Sequence, residues 1–213
     1  MATAKGKKTA QTAAAQKAPP AKAAQPKATE PELAKAAPPR VQPEQKAPAR
    51  TALAGEGSAL VGRAAPAFKL ADATGQQRTL ADYRGRWTVL YFYPRDDTPG
   101  CTTEACEFTT LWDDFAALEA TVVGVSPDTP ERHTRFINKF KLKVALLSDP
   151  SKAMLSAYGA YGMKMMYGKQ VEGVLRSTVI LDPAGKIAQH FRGVKATGHA
   201  EAVREALKRL QGG

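Results

Sequence analysis

Two cysteines, Cys101 and Cys106, close the segment Pro94-Arg95-Asp96-Asp97-Thr98-Pro99-Gly100-Cys101-Thr102-Thr103-Glu104-Ala105-Cys106, and the chain has no others. A thiolate attacks oxidants and disulfides, whereas a packed thiol behaves as an inert small hydrophobe. Thr98 suits a helix N-cap and Pro99 the first helical position, which places Cys101 in a first turn whose backbone N–H groups lack intrahelical partners. That location favours the anion, so a nucleophile stands as one reading of Cys101 and a core thiol as the other. In an unbroken helix, residues five apart lie about 8.7 Å apart at Cα, beyond the roughly 7 Å that a disulfide tolerates. If Cys101 becomes a sulfenic acid and Cys106 condenses with it, the first turns must unwind. Cys106 otherwise reads as packing. The C-x-x-x-x-C spacing also differs from the C-x-x-C of thiol-disulfide oxidoreductases.

The other polar side chains offer less. His133, His190 and His199 show no ligand spacing to the cysteines, so no metal site is expected, and His133 reads as a helix-surface residue. Arg95, Asp96 and Asp97 read as a solvated loop. Met163, Met165 and Met166, with Tyr158, Tyr161 and Tyr167, form an apolar segment read as packing or a loop over the site rather than as a dedicated peptide-binding surface.

The elements around the cysteines alternate. Thr88-Val89-Leu90-Tyr91-Phe92-Tyr93, stopped by Pro94, has the continuous β-branched and aromatic character of a strand buried on both faces. Residues 121–126, 144–147 and 177–181 repeat it. A helix is predicted over residues 101–119, with Ala105, Phe108, Trp112, Phe115 and Leu118 on one stripe. A second, over 130–140, follows Thr129 as N-cap, and Pro130 suits its first position. Asp182-Pro183-Ala184-Gly185 joins the fourth strand to residues 186–191 as a hairpin, and Ala202, Val203, Ala206, Leu207 and Leu210 mark a C-terminal helix. The order β-α-β-α-β-β-α gives an α/β class with a mixed sheet covered by helices on both sides, the order of a thioredoxin-like fold. A buried strand ending where a helix begins is also where open α/β sheets bind ligands.

The chain has 213 residues, of which the first 55 contain 18 Ala, 8 Pro and ten Lys or Arg against three Glu. Lacking large apolar side chains, residues 1–55 cannot offset the roughly 1 to 2 kcal/mol per residue that backbone ordering costs, so they read as a disordered basic tail and residues 56–213 as the folded domain. The tail holds +7 of the net +11. It reads as a tether or solubilising spacer, with unspecific, salt-sensitive contact to nucleic acid as the alternative. No run of about 18 apolar residues and no apolar stretch of a secretory signal occurs, so no membrane span is expected and the cytoplasm is the default location. An organellar transit peptide is the alternative, against which stands a tail without serine and with two arginines, Arg40 and Arg50.

Pro94-x3-Thr98-x2-Cys101 matches the Pro-x-x-x-Thr-x-x-Cys motif of peroxiredoxins. With Tyr91-Phe92-Tyr93-Pro94 before it and Thr98-Pro99-Gly100-Cys101-Thr102-x-x-Ala105-Cys106 around it, the chain resembles the bacterioferritin-comigratory-protein, or peroxiredoxin Q, subfamily. Residues 124–128, 147–149 and 173–182 continue the resemblance, which runs from about Val61 to Leu210. It implies that Cys101 is the peroxidatic cysteine, attacking hydrogen peroxide or an organic hydroperoxide, and that Arg176 faces it and stabilises the charge moving onto the departing oxygen. It implies further that Thr98 hydrogen-bonds the peroxide and the thiolate, that Pro94 shields the sulfur from water, and that Cys106 resolves the sulfenic acid as an intramolecular disulfide. A thioredoxin or glutaredoxin-like dithiol would restore both thiols, with no bound cofactor or metal, in a chain acting as a monomer. A nucleic-acid-associated protein with a secondary redox domain is the competing class, favoured by the tail.

Overall fold

The computed structural model describes residues 58–166 and 168–212, so the expectation for the basic tail lies outside the described residues. A seven-stranded mixed sheet runs in the order β2-β1-β5-β4-β3-β8-β9. Its strands are β1 (Lys69–Asp72), β2 (Gln77–Thr79), β3 (Trp87–Phe92), β4 (Ala120–Ser126), β5 (Ala145–Ser148), β8 (Ser177–Leu181) and β9 (Ile187–Arg192). Strands β3, β4 and β5 are mutually parallel, while β8 runs antiparallel to β3 and β9 antiparallel to β8. The four strands and the closing hairpin expected from hydrophobic runs are therefore present, within a residue or two at their ends.

Strand alternation sends successive residues of β3 to opposite faces, and both are covered. Val89 and Tyr91 join Phe108, Phe115, Phe136, Val203 and Leu207 in one core, while Leu90 and Phe92 join Leu80, Met154, Leu155 and Tyr158 in the other. The first core is roofed by helices α1 (Pro99–Thr110), α2 (Trp112–Ala117), α3 (Pro130–Phe140) and α5 (His199–Gln211); the second by α4 (Ala153–Ala157) and the turn at Leu80–Tyr83. At the centre of β4, a Cβ on Gly124 would lie 2.6 Å from the Tyr91 hydroxyl and 2.7 Å from Leu146 Cδ2, so only glycine lets the Tyr91 ring lie across the sheet.

The structure departs from the sequence reading in three places. The helix expected over 101–119 is two, broken at Leu111, whose φ of −89° and ψ of 12° end the first segment. Across the break Phe108 and Phe115 share one core, with ring centroids 5.8 Å apart. The short hairpin of β1 and β2 and the single-turn α4 lacked a long apolar run to mark them. The methionine segment is a separate hairpin of β6 (Tyr161–Met166) and β7 (Lys169–Val174). Met163 and Met165 are 60 % and 65 % exposed rather than packed, because no layer among the described residues covers that face of the hairpin. Tyr158 is buried, with its hydroxyl donating to the Pro66 carbonyl at 2.8 Å; Tyr167 lies outside the described residues.

Candidate active site

Strand β3 ends at Phe92, and the chain crosses residues 93–98 to the start of α1. Thr98 is the N-cap in extended conformation (φ −108°, ψ 150°) and Pro99 opens the helix, as their types require. The Thr98 hydroxyl does not cap, however; it donates to the Arg95 carbonyl at 3.0 Å, while the Thr102 N–H closes on the Thr98 carbonyl at 2.8 Å. Cys101 follows as the third helical residue, so its own N–H has no carbonyl four residues back within the helix. Its side chain is 1 % exposed, and neither cysteine is in a disulfide.

Arg176 reaches this thiol because of sheet topology. Strand β8 pairs antiparallel with β3, with Ser177 opposite Phe92, so the residue just before β8 is delivered to the carboxyl end of β3. Across 75 positions of sequence, Arg176 Nη2 donates to Cys101 Sγ at 3.2 Å. Its Nη1 pairs with Glu104, which sits one turn after Cys101 on α1 and is fully buried. Burial works against the Arg176 charge, but Glu104 and Cys101 outweigh it, and its pKa is raised. Burial pushes the Glu104 carboxyl up to about 7, with Arg176 drawing it back. The second Glu104 oxygen has no partner among the described residues. A Cβ on Gly100 would lie 3.4 Å from Arg176 Nη2, so glycine here leaves the guanidinium room beside the helix start.

The structure thus brings Cys101 and Arg176 into contact, with Pro94 and Thr98 half-buried in the loop beside them and no hydrogen bond between Thr98 and Cys101 among the described residues. Cys106 lies on the same unbroken helix, half-buried against the core, and borders a cleft lined by Thr103, Glu107, Thr110, Leu111, Gly198 and Glu201.

Glu104 is the residue that sequence reasoning missed. Its signal was its place three residues after Cys101, on the same helix face, where a carboxylate can share a cation with the thiol. Two expectations are corrected as well. Asp96 is buried rather than solvated, and His133 is completely buried rather than on a helix surface, because the two pair with each other. His190 and His199 are also buried, bonded to the Ser58 and Thr178 hydroxyls at 2.6 and 2.8 Å.

A buried thiol in the first turn of a helix, at the carboxyl end of a central strand and beside an arginine that immediately precedes the neighbouring strand, defines a thiol redox protein of thioredoxin-like fold. Residues 61–190 match the AhpC/TSA family. A putative peroxiredoxin of Mycobacterium tuberculosis is 51 % identical over 146 residues, 68 % of this chain and 93 % of its own length. Peroxiredoxin Bcp of Bacillus subtilis is 41 % identical over 151 residues, 71 % of this chain and 94 % of its own. Among solved structures, the bacterioferritin comigratory protein of Xanthomonas campestris superposes with a TM-score of 0.64 at 43 % identity, covering 67 % of this chain and 90 % of that one. The chain belongs to the AhpC/TSA family as a peroxiredoxin of the bacterioferritin-comigratory-protein type, and it is a thiol-dependent peroxidase of the two-cysteine kind.

Proposed function

We propose that Cys101 is the peroxidatic cysteine of this peroxidase and Cys106 its resolving partner. The thiolate of Cys101 attacks one oxygen of a hydroperoxide, the O–O bond breaks, and a proton from the medium completes the departing water or alcohol, leaving a sulfenic acid. The Cys106 thiol then displaces water from that sulfenic acid to form an intramolecular disulfide. A thioredoxin- or glutaredoxin-like dithiol reduces it by exchange through a mixed disulfide, supplying the two electrons and leaving as its own disulfide. The observation that carries this reading is the 3.2 Å contact from Arg176 Nη2 to Cys101 Sγ, which sets a cation against the attacking sulfur and beside the charge developing on the leaving oxygen.

Thr98 and Pro94 complete the assignment. The Thr98 hydroxyl donates to the Arg95 main-chain carbonyl at 3.0 Å, and a peroxide oxygen competes for the same proton. Pro94 brings no N–H to the loop and limits the water that reaches the sulfur. The alkyl peroxide chemistry studied in the Xanthomonas protein extends the substrate class to organic hydroperoxides. All the groups used are protein side chains, so the cycle needs no bound cofactor or metal. Both cysteines lie on one chain, so a monomer suffices. Thiols that must return to the reduced state suit the cytoplasm; no helix among the described residues is long and apolar enough to cross a membrane. The basic residues 1–55 remain a place for unspecific nucleic-acid contact.

The test is peroxide consumption with thioredoxin, thioredoxin reductase and NADPH. Cys101→Ser abolishes turnover, and Arg176→Met lowers the rate with peroxide by about a hundredfold, the scale of losing one oriented donor to developing charge. Full turnover by Cys101→Ser would refute the assignment.

A further inference from the structure

Behind the loop that leads to Cys101 lies a buried polar cluster that the peroxidase chemistry does not use. Asp96, 3 % exposed, accepts from the Tyr93 hydroxyl at 2.7 Å on Oδ1 and meets His133 Nδ1 at 2.8 Å on Oδ2. His133, fully buried on α3, places Nε2 3.1 Å from the Leu147 carbonyl of β5. That carbonyl only accepts, so Nε2 carries a proton, and the Nδ1–Oδ2 contact needs a second proton of its own. The pair is therefore neutral as a unit, an imidazolium with a carboxylate or its proton-shifted equivalent, and every polar atom in it is satisfied. The Asp96 N–H is bound as well, to Asp128 Oδ2 at 2.6 Å, and Arg132 pairs with the same Asp128 carboxylate at 2.9 Å.

The Tyr93 contact lies within the loop itself, and the others run from the loop to α3, through it to β5, and to the turn before α3, with none to α1. The next residue, Asp97, pairs with Lys139 of α3 at 2.7 Å and has a φ of +56°, which turns the chain sharply into Thr98. The side chains of α1, by contrast, are tied elsewhere: Glu104 to Arg176, and Glu107 to the Gly198 N–H at 2.9 Å. The loop and the helix thus have separate side-chain anchors and meet at Thr98, whose hydroxyl donates back to the Arg95 carbonyl at 3.0 Å and whose carbonyl accepts from the Thr102 N–H at 2.8 Å.

We propose that Asp96 and His133 are positioning residues of the peroxide-reducing step: they clamp residues 94–98 to α3 and β5, so that Thr98 and the helix start hold Cys101 against Arg176 and the bound peroxide. Disulfide closure, which needs α1 to unwind, does not depend on this clamp. The proposal rests on Cys101 being the reacting thiol. A misplacement of the order of 1 Å costs about a hundredfold in a well-oriented reaction, so even partial loosening is measurable.

Rapid-mixing fluorescence separates the two steps on the full-length protein, with hydrogen peroxide in excess to follow sulfenic acid formation and then disulfide closure. Asp96→Ala should slow the peroxide step by about tenfold or more and leave closure within about twofold. Asp96→Asn can still accept from Tyr93 and can donate its amide to His133 Nδ1, with Nε2–H still on Leu147, so it should restore the peroxide rate to within about threefold of wild type. A clamp that served stability alone would lower the midpoint of urea unfolding in Asp96→Ala and leave the peroxide rate where it was, which would overturn the proposal. Equal slowing of both steps would overturn it too. Should Asp96→Ala not fold, Tyr93→Phe removes one donor from the same carboxylate, with a fall of about threefold in the peroxide step expected and an unchanged rate counting against the clamp. Failure of the underlying reading would look different, since Cys101→Ser would then still consume peroxide.

Discussion

The proposed chemistry rests on three side chains that share charge. Arg176 touches Cys101 Sγ with one guanidinium nitrogen and Glu104 with the other, so Glu104 fixes the angle at which the cation meets the sulfur. Burial holds the Glu104 proton up to about pH 7, against an ordinary value of 4.5. The folded state therefore binds more protons than the unfolded state between those two values, and this group's contribution to stability falls as pH rises across that window. Activity runs the other way, because the ionised carboxylate grips the guanidinium more strongly than the neutral acid does. Part of the rise of the peroxide rate through neutral pH should thus belong to Glu104. Glu104→Gln is expected to remove that limb, lower the alkaline rate by about tenfold, the equivalent of a charge-assisted hydrogen bond, and abolish the loss of urea stability from pH 4.5 to about 7. A pH–rate profile unchanged by the substitution would assign the limb to another group. Cys101, Thr98 and Pro94 were legible in the sequence because a local motif carries them. Arg176 came from the resemblance, and no local spacing announces it; its contact is made by strand pairing across 75 residues. Glu104 and the Asp96–His133 pair were not legible, since charged residues read as solvated unless their buried partners are known.

At the scale of elements, the proposed cycle gives α1 two incompatible duties. It must be intact from Pro99 to hold Cys101 in the first turn, yet an intact helix keeps Cys101 and Cys106 about 8.7 Å apart at Cα. The reduced structure shows the first duty, with both thiols free. Oxidation is therefore expected to cost helix: the far-ultraviolet circular dichroism of the disulfide form should fall by the signal of roughly one to two turns, and amides after Cys101 should lose hydrogen-exchange protection. Cys106→Ser treated with peroxide should retain both. Unchanged helicity in a wild-type protein with a proven Cys101–Cys106 disulfide would contradict the unwinding. The break at Leu111 gives this change a natural boundary, because α2 starts afresh at Trp112. That break was hidden from periodicity, since the apolar spacing runs on through both helices and Phe108 and Phe115 share one core on either side of it. The β-strands of the central sheet were far easier to read, because burial on both faces leaves long unbroken apolar runs.

At the scale of the whole molecule, the family match spans residues 61–190, and the basic residues 1–55 lie before it. Removing residues 1–55 should leave the peroxide rate and the disulfide yield unchanged, because every group in the proposed cycle lies beyond residue 93. It should also abolish any salt-sensitive retention on DNA, since those residues carry +7 of the net +11. A truncated chain that lost peroxidase activity would make the first 55 residues part of the enzyme. The central claim, a two-cysteine cycle begun by Cys101, is tested most directly by mass spectrometry of the reduced protein after one equivalent of hydrogen peroxide, beside Cys101→Ser and Cys106→Ser. The expected result is loss of two hydrogens in the wild type, gain of one oxygen at Cys101 in Cys106→Ser, and no reaction in Cys101→Ser. Oxidation of Cys101→Ser as fast as the wild type would contradict it.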